Sequence, residues 1–81
     1  MDRFYYTYVL RSSKDGKFYT GWTNDLGKRV EKHNKGLITA TKSSTPLTLV
    51  YFEACVSKTK AILGEKSLKT GFGRKYLKSR L

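Results

Sequence analysis

These 81 residues contain one cysteine and one proline. A single Cys55 excludes an internal disulfide and any zinc site built on several thiolates, and it is expected in the core as a small apolar residue. No apolar run approaches the length of a bilayer span, and Met1-Asp2-Arg3 leads into an aromatic stretch, not the apolar core of a signal peptide. A cytoplasmic location is therefore the default expectation, with no membrane partner, because the helical segments lack a broad apolar face opposite their basic one. Repeats, linkers and low-complexity tracts are missing too. The length suits one compact unit spanning 1–81, since smaller units would bury too little apolar surface to offset chain entropy.

Acidic residues are also scarce. Six Asp and Glu stand against 17 Lys and Arg, which leaves a net charge of +11 spread over both halves of the chain. A polyanion is the partner such a balance favours, and nucleic acid is the usual one, because each neutralised phosphate releases counterions. A merely soluble basic surface is the plainer reading of the same charge.

Phe4 to Arg11 is dense in aromatic and β-branched residues and ends at Ser12-Ser13, which predicts a strand. Asp15-Gly16 supplies a turn and Lys17 to Trp22 resumes the strand composition, so the two segments are expected to form an antiparallel hairpin with Tyr8 and Tyr19 on adjacent strands. Thr23, Asn24 or Asp25 then caps a helix. With Leu26 taken as zero and about 100° per residue, Val30 falls near +40°, His33 near −20° and Arg29 near −60°. Arg29 and His33 thus share one border of the apolar face and project over the sheet on which that face packs. Gly27 weakens this helix, or marks a close approach, and Gly36 is placed to end it in a left-handed conformation.

Leu37 to Pro46 is rich in Ser and Thr without periodicity, and reads as a surface loop whose hydroxyls and Lys42 can meet a sugar-phosphate backbone or simply face solvent. Leu47 to Phe52 carries no charge and predicts a third strand, buried on both faces and central in the sheet. Ser57 caps a second helix reaching about Lys69, in which Glu65 falls inside the arc of Ala61 and Leu68. A carboxylate there needs compensation: an ion pair with Lys69 one turn on, or a hard divalent cation. Gly71 and Gly73 read as breaks before a short basic helix, Arg74 to Leu81.

The ordered set Tyr6-Thr7-Tyr8, Tyr19-Thr20-Gly21, Arg29, His33 and Glu65 resembles the GIY-YIG endonuclease module in its small stand-alone bacterial form. The glycine and isoleucine positions of the first motif hold Tyr6 and Thr7, and no asparagine follows Glu65 as it does in many members. The resemblance implies an α+β fold, a small three-stranded antiparallel sheet flanked by helices in the order β-β-α-β-α-α. It further implies a metal-dependent DNA endonuclease, with branched or damaged DNA of repair or recombination among the candidate substrates and DNA expected ahead of RNA. Tyr8, Tyr19, Arg29, His33 and Glu65 are then the candidate catalytic residues, with Glu65 the ligand of Mg2+ or Mn2+ and Arg29 the clamp on phosphate oxygens. Tyr19 is the candidate base with Tyr8 hydrogen-bonded nearby. A free phenol titrates near pH ~10, so His33, closer to neutrality, is the alternative proton shuttle, unless it only faces the helix dipole. Lys28, Lys32, Lys42, Arg74 and Lys75 are candidate nucleic-acid contacts. A catalytically silent nucleic-acid-binding module, or an RNA-associated basic protein, would keep the same surface without the chemistry.

Overall fold

The computed structural model describes residues 3–81. Met1 and Asp2, part of the stretch read above for a signal peptide, lie outside the described residues. Three strands form one antiparallel sheet: β1 is Tyr5–Ser12, β2 is Phe18–Thr23 and β3 is Leu47–Cys55, in the spatial order β2-β1-β3. Three helices complete the expected order, α1 Leu26–Asn34, α2 Lys58–Leu68 and α3 Gly71–Arg80.

Alternation along β1 sends its side chains to two different cores. Tyr8 and Leu10 pack with Leu47, Leu49 and Tyr19 against Leu26 and Val30 of α1. Val9 packs on the opposite face with Val50 and Tyr51 against Leu68 of α2 and Leu77 of α3. Helices therefore cover both faces, and β1 is buried from either side, with Val9 and Leu10 both 0% exposed. Removing an aliphatic side chain so enclosed costs about 2–5 kcal/mol, from lost transfer energy and the cavity left behind. Thr7, also on the α2 side, donates its hydroxyl to the Ala61 carbonyl at 2.7 Å and so ties strand to helix.

β1, not β3, is the central strand. The uncharged run Leu47 to Phe52 suggested burial on both faces, yet β3 lies at the sheet edge, and Phe52 stays about half exposed beside the ring of Tyr6. An apolar run alone does not separate a covered edge from a centre, and β3 continues through Glu53 to Cys55 into solvent. Cys55 is half-buried, its thiol donating to the Ser57 carbonyl, so the expected core position is not taken.

The caps follow the sequence closely. Asp25 accepts from the Lys28 amide at the start of α1 and Ser57 from Lys60 at the start of α2, which satisfies amides that the first helical turn leaves unpaired. Gly36 takes φ +74° just after α1, a conformation that L side chains avoid. Gly71 and Gly73 do not break the chain. They form the first turn of α3 behind the Thr70 cap, and Gly73 lies directly against the backbone of Ser67 and Leu68.

Candidate active site

β2 is the other edge strand, and a hollow of about 870 Å3 wraps around it from the α1 side to the α2–α3 side. All five candidate catalytic residues line it: Tyr8 and Tyr19 from the hairpin, Arg29 and His33 from α1, Glu65 from α2. The strand register explains how the hairpin contributes. Tyr8 lies opposite Gly21 and Leu10 opposite Tyr19, so these four residues share the face that α1 covers. Gly21 is required there because a methyl group would run into the Tyr8 ring and hydroxyl.

Tyr8 is the hub. Its phenolic oxygen accepts a hydrogen bond from Nε of Arg29 at 3.2 Å and lies 2.9 Å from Nε2 of His33. Guanidinium can only donate, so the phenolic hydrogen is free to point at Nε2 when that nitrogen carries no proton, and the other ring nitrogen, Nδ1, lies 2.7 Å from Thr41 Oγ1. His33 is buried, and that burial first, then the neighbouring Arg29 charge, lowers its pKa from the ordinary 6.5. The imidazole is thus neutral at neutral pH, which is what acceptance of the phenolic proton needs. His33 faces this cluster, not the helix dipole alone.

Tyr19 lines the same hollow but is bonded elsewhere. Its hydroxyl lies 2.7 Å from Ser44 Oγ, which in turn donates to Asp15 at 3.3 Å. The expected contact between the two tyrosines is replaced by these separate partners. Thr41 and Ser44 also correct the reading of Leu37 to Pro46 as a surface loop. Both are buried, a short 3-10 turn spans Lys42–Ser44, and the Ser44 carbonyl accepts from the hydroxyl of Ser12 at 2.6 Å. Nothing in their composition distinguishes these hydroxyls from exposed ones such as Ser43. Only the partners across the fold do.

Glu65 has a 20% exposed side chain and a long contact, 3.4 Å, with Lys69. Both readings made for it are therefore compatible with its position. It is the only carboxylate in the wall among the described residues, against five cationic side chains, Lys17, Arg29, Lys69, Arg74 and Lys78. Among the described residues no group of three or more His, Cys, Asp or Glu gathers into a ready-made metal cage. One carboxylate suits a hard cation that takes its remaining oxygens from water and phosphate.

Of the five basic residues expected to touch nucleic acid, Arg74 lines the hollow. Lys28, Lys32, Lys42 and Lys75 are exposed outside its wall. Lys78, missed in the sequence, stands one turn after Arg74 and so shares its side of α3. That spacing was the available signal. Lys75, one residue off, is exposed and does not line the hollow.

Comparisons with known proteins identify the family and the fold. A family model described as the GIY-YIG catalytic domain matches residues 4–77. A UPF0213 protein of Staphylococcus saprophyticus is 40% identical over 96% of this chain and 94% of its own length, and one of Clostridium perfringens is 46% identical over 69% and 60%. A solution structure of a UPF0213 protein from Bacillus halodurans matches with a TM-score of 0.58 at 33% identity, covering 94% of this chain and 83% of that one. The chain belongs to the GIY-YIG catalytic-domain family, a nuclease family whose members act on nucleic acid and are generally metal-dependent.

Proposed function

We propose that this protein is a metal-dependent DNA endonuclease that hydrolyses phosphodiester bonds in the hollow around β2. The observation that carries the reading is the convergence of Tyr8, Arg29, His33 and Glu65 on one cationic hollow. Hydrolysis needs an activated water, stabilisation of charge on the phosphoryl oxygens and help for the leaving oxygen. Tyr8 supplies a proton acceptor for the water, passing its own proton to Nε2 of His33, while Thr41 holds the imidazole in the required orientation. Arg29 spends only Nε on Tyr8 among the described residues, which leaves its terminal nitrogens to clamp non-bridging oxygens. Tyr19, tethered to Ser44, positions rather than reacts. Glu65 is the residue that would hold Mg2+ or Mn2+, whose chemistry is charge neutralisation at the phosphate and leaving oxygen.

The test is incubation of the purified protein with plasmid and branched DNA, in Mg2+, Mn2+ or chelator, beside Arg29→Ala and Glu65→Ala. Metal-dependent nicking by the wild type that both variants lose supports the reading. Equal nicking by all three proteins would be a contaminant's. A catalytically silent binder would instead hold DNA as well or better after Glu65→Ala, with no cleavage by any of them.

A further inference from the structure

A second, smaller hollow of about 410 Å3 opens beside the first, lined by Tyr5, Trp22, Thr23, Asn24, Arg29 and Lys58. Trp22 and Arg29 belong to both walls. We propose that this hollow is a second phosphate subsite, seating the backbone phosphate adjacent to the one at Tyr8 and Arg29. The proposal rests on the reading of the larger hollow as a phosphodiester site and names Lys58 as a substrate-binding residue.

Three observations carry it. First, among the described residues the wall holds two cations and no carboxylate, and neither Arg29 nor Lys58 has an ion-pair partner. Second, Lys58 is already placed. Its ammonium sits 5.4 Å from the centre of the Trp22 ring, a contact that orients the side chain while leaving its N–H donors for an incoming anion. Third, Lys58 is the first residue of α2, whose first turn has Lys58 and Lys60 and no acidic residue. Cations at that end oppose the helix dipole, so the position carries a cost that a bound anion removes. Because Arg29 stands between the two hollows, one guanidinium can touch consecutive phosphates of a single strand. Its Nε stays on Tyr8 throughout.

The experiment uses the full chain and a duplex oligonucleotide whose cut position has been mapped. Charge-neutral methylphosphonate linkages replace the phosphates one at a time, and KM, kcat and the Kd in chelator are measured for wild type, Lys58→Ala and Lys58→Arg. The expected result is that one neutral linkage next to the cut raises KM and Kd of the wild type by about 10-fold, the effect of one charge-assisted contact, with kcat within about twofold. Lys58→Ala should show the same loss on the unmodified duplex, no further loss from that linkage, and a salt-dependence slope smaller by about 0.9. Lys58→Arg should recover most of it. Losses that simply add, or a Lys58→Ala protein indistinguishable from a wild type that cleaves normally, would overturn the subsite alone. A wild type that neither binds nor cuts DNA overturns the catalytic reading and the subsite with it.

Discussion

The phenolic oxygen of Tyr8 and Nε2 of His33 lie 2.9 Å apart, and Nε of Arg29 reaches the same oxygen from the preceding turn of α1. Under the proposed reading, this three-way contact favours Tyr8 over Tyr19 as the phenol that relays a proton. Tyr8→Phe keeps the ring packed beneath Gly21 and removes only the oxygen, so the cleavage rate should fall by about 100-fold or more. Tyr19→Phe should lose less, because its hydroxyl is already tied to Ser44. Initial rates on supercoiled plasmid decide the matter, and equal losses would reverse the assignment.

The depressed pKa of His33 has a definite consequence for stability. As pH falls through about 6.5, the unfolded chain takes up a proton that the folded protein refuses until a lower pH is reached. The unfolded state then binds more protons, so the contribution is fully present above pH 6.5 and is lost as pH drops through the folded value. Thermal unfolding midpoints between pH 7 and 5 should decline for the wild type and stay flatter for His33→Gln. The acid limb of the cleavage rate should fall in the same window, since a protonated Nε2 no longer accepts from Tyr8. Asp15 and Glu31, both held below the ordinary carboxylate range by hydrogen bonds, titrate lower and do not confuse it.

Gly21→Ala should cost about 1–3 kcal/mol, because the new methyl overlaps Tyr8 and the packed ring can move only by disturbing its neighbours. Activity should fall further than stability predicts, since the displaced hydroxyl would leave Arg29 and His33 behind. Denaturant titration set beside cleavage rate separates the two effects. Gly27→Ala is the control: open space surrounds that position, and an exposed helical glycine gains about 1 kcal/mol on replacement by alanine.

Asn34 closes a pair of hydrogen bonds with the backbone of Leu47, donating to its carbonyl at 2.8 Å and accepting from its amide at 2.7 Å. This joins the last turn of α1 to the first residue of β3. Asn34→Ala should therefore cost about 1–2 kcal/mol, a fall in Tm of about 4–16 °C for a domain of this size. Asn34→Asp should cost a similar amount, since a carboxylate cannot donate to the Leu47 carbonyl. A Tm unchanged in both variants would show that the bridge contributes nothing.

The hairpin, the first two helices and their caps, and the presence of a third helix were legible because each depends on neighbours in sequence: Asp25 to Lys28, Ser57 to Lys60, the 3.6-residue spacing of Leu26, Val30 and His33. Arg29 and His33 could be placed on one helical border for the same reason. Strand order was not legible. β3 and β1 are both apolar, and their roles differ by which one receives a helix on each face, a fact about α1, α2 and α3 together. Thr41 and Ser44 were missed on similar grounds, since His33 and Tyr19 meet them only after the chain has folded back. Lys58 carries no signal in the sequence, because the Trp22 ring that it meets belongs to β2, far earlier in the chain.

Because Tyr8 opposes Gly21 in the β1–β2 register, the cluster tolerates change at the hairpin tip far better than within the strands. Extra residues between Ser13 and Lys17 would lengthen an exposed bend and loosen the contacts of Lys14 and Asp15 with Ser43 and Ser44, but leave the strand register alone. One extra residue inserted between Tyr8 and Arg11 would turn every side chain on one side of the insertion to the opposite surface of the pleat. The phenol and its glycine partner could then no longer meet, so length variants gathered by random insertion should survive at the bend and vanish from the ladder.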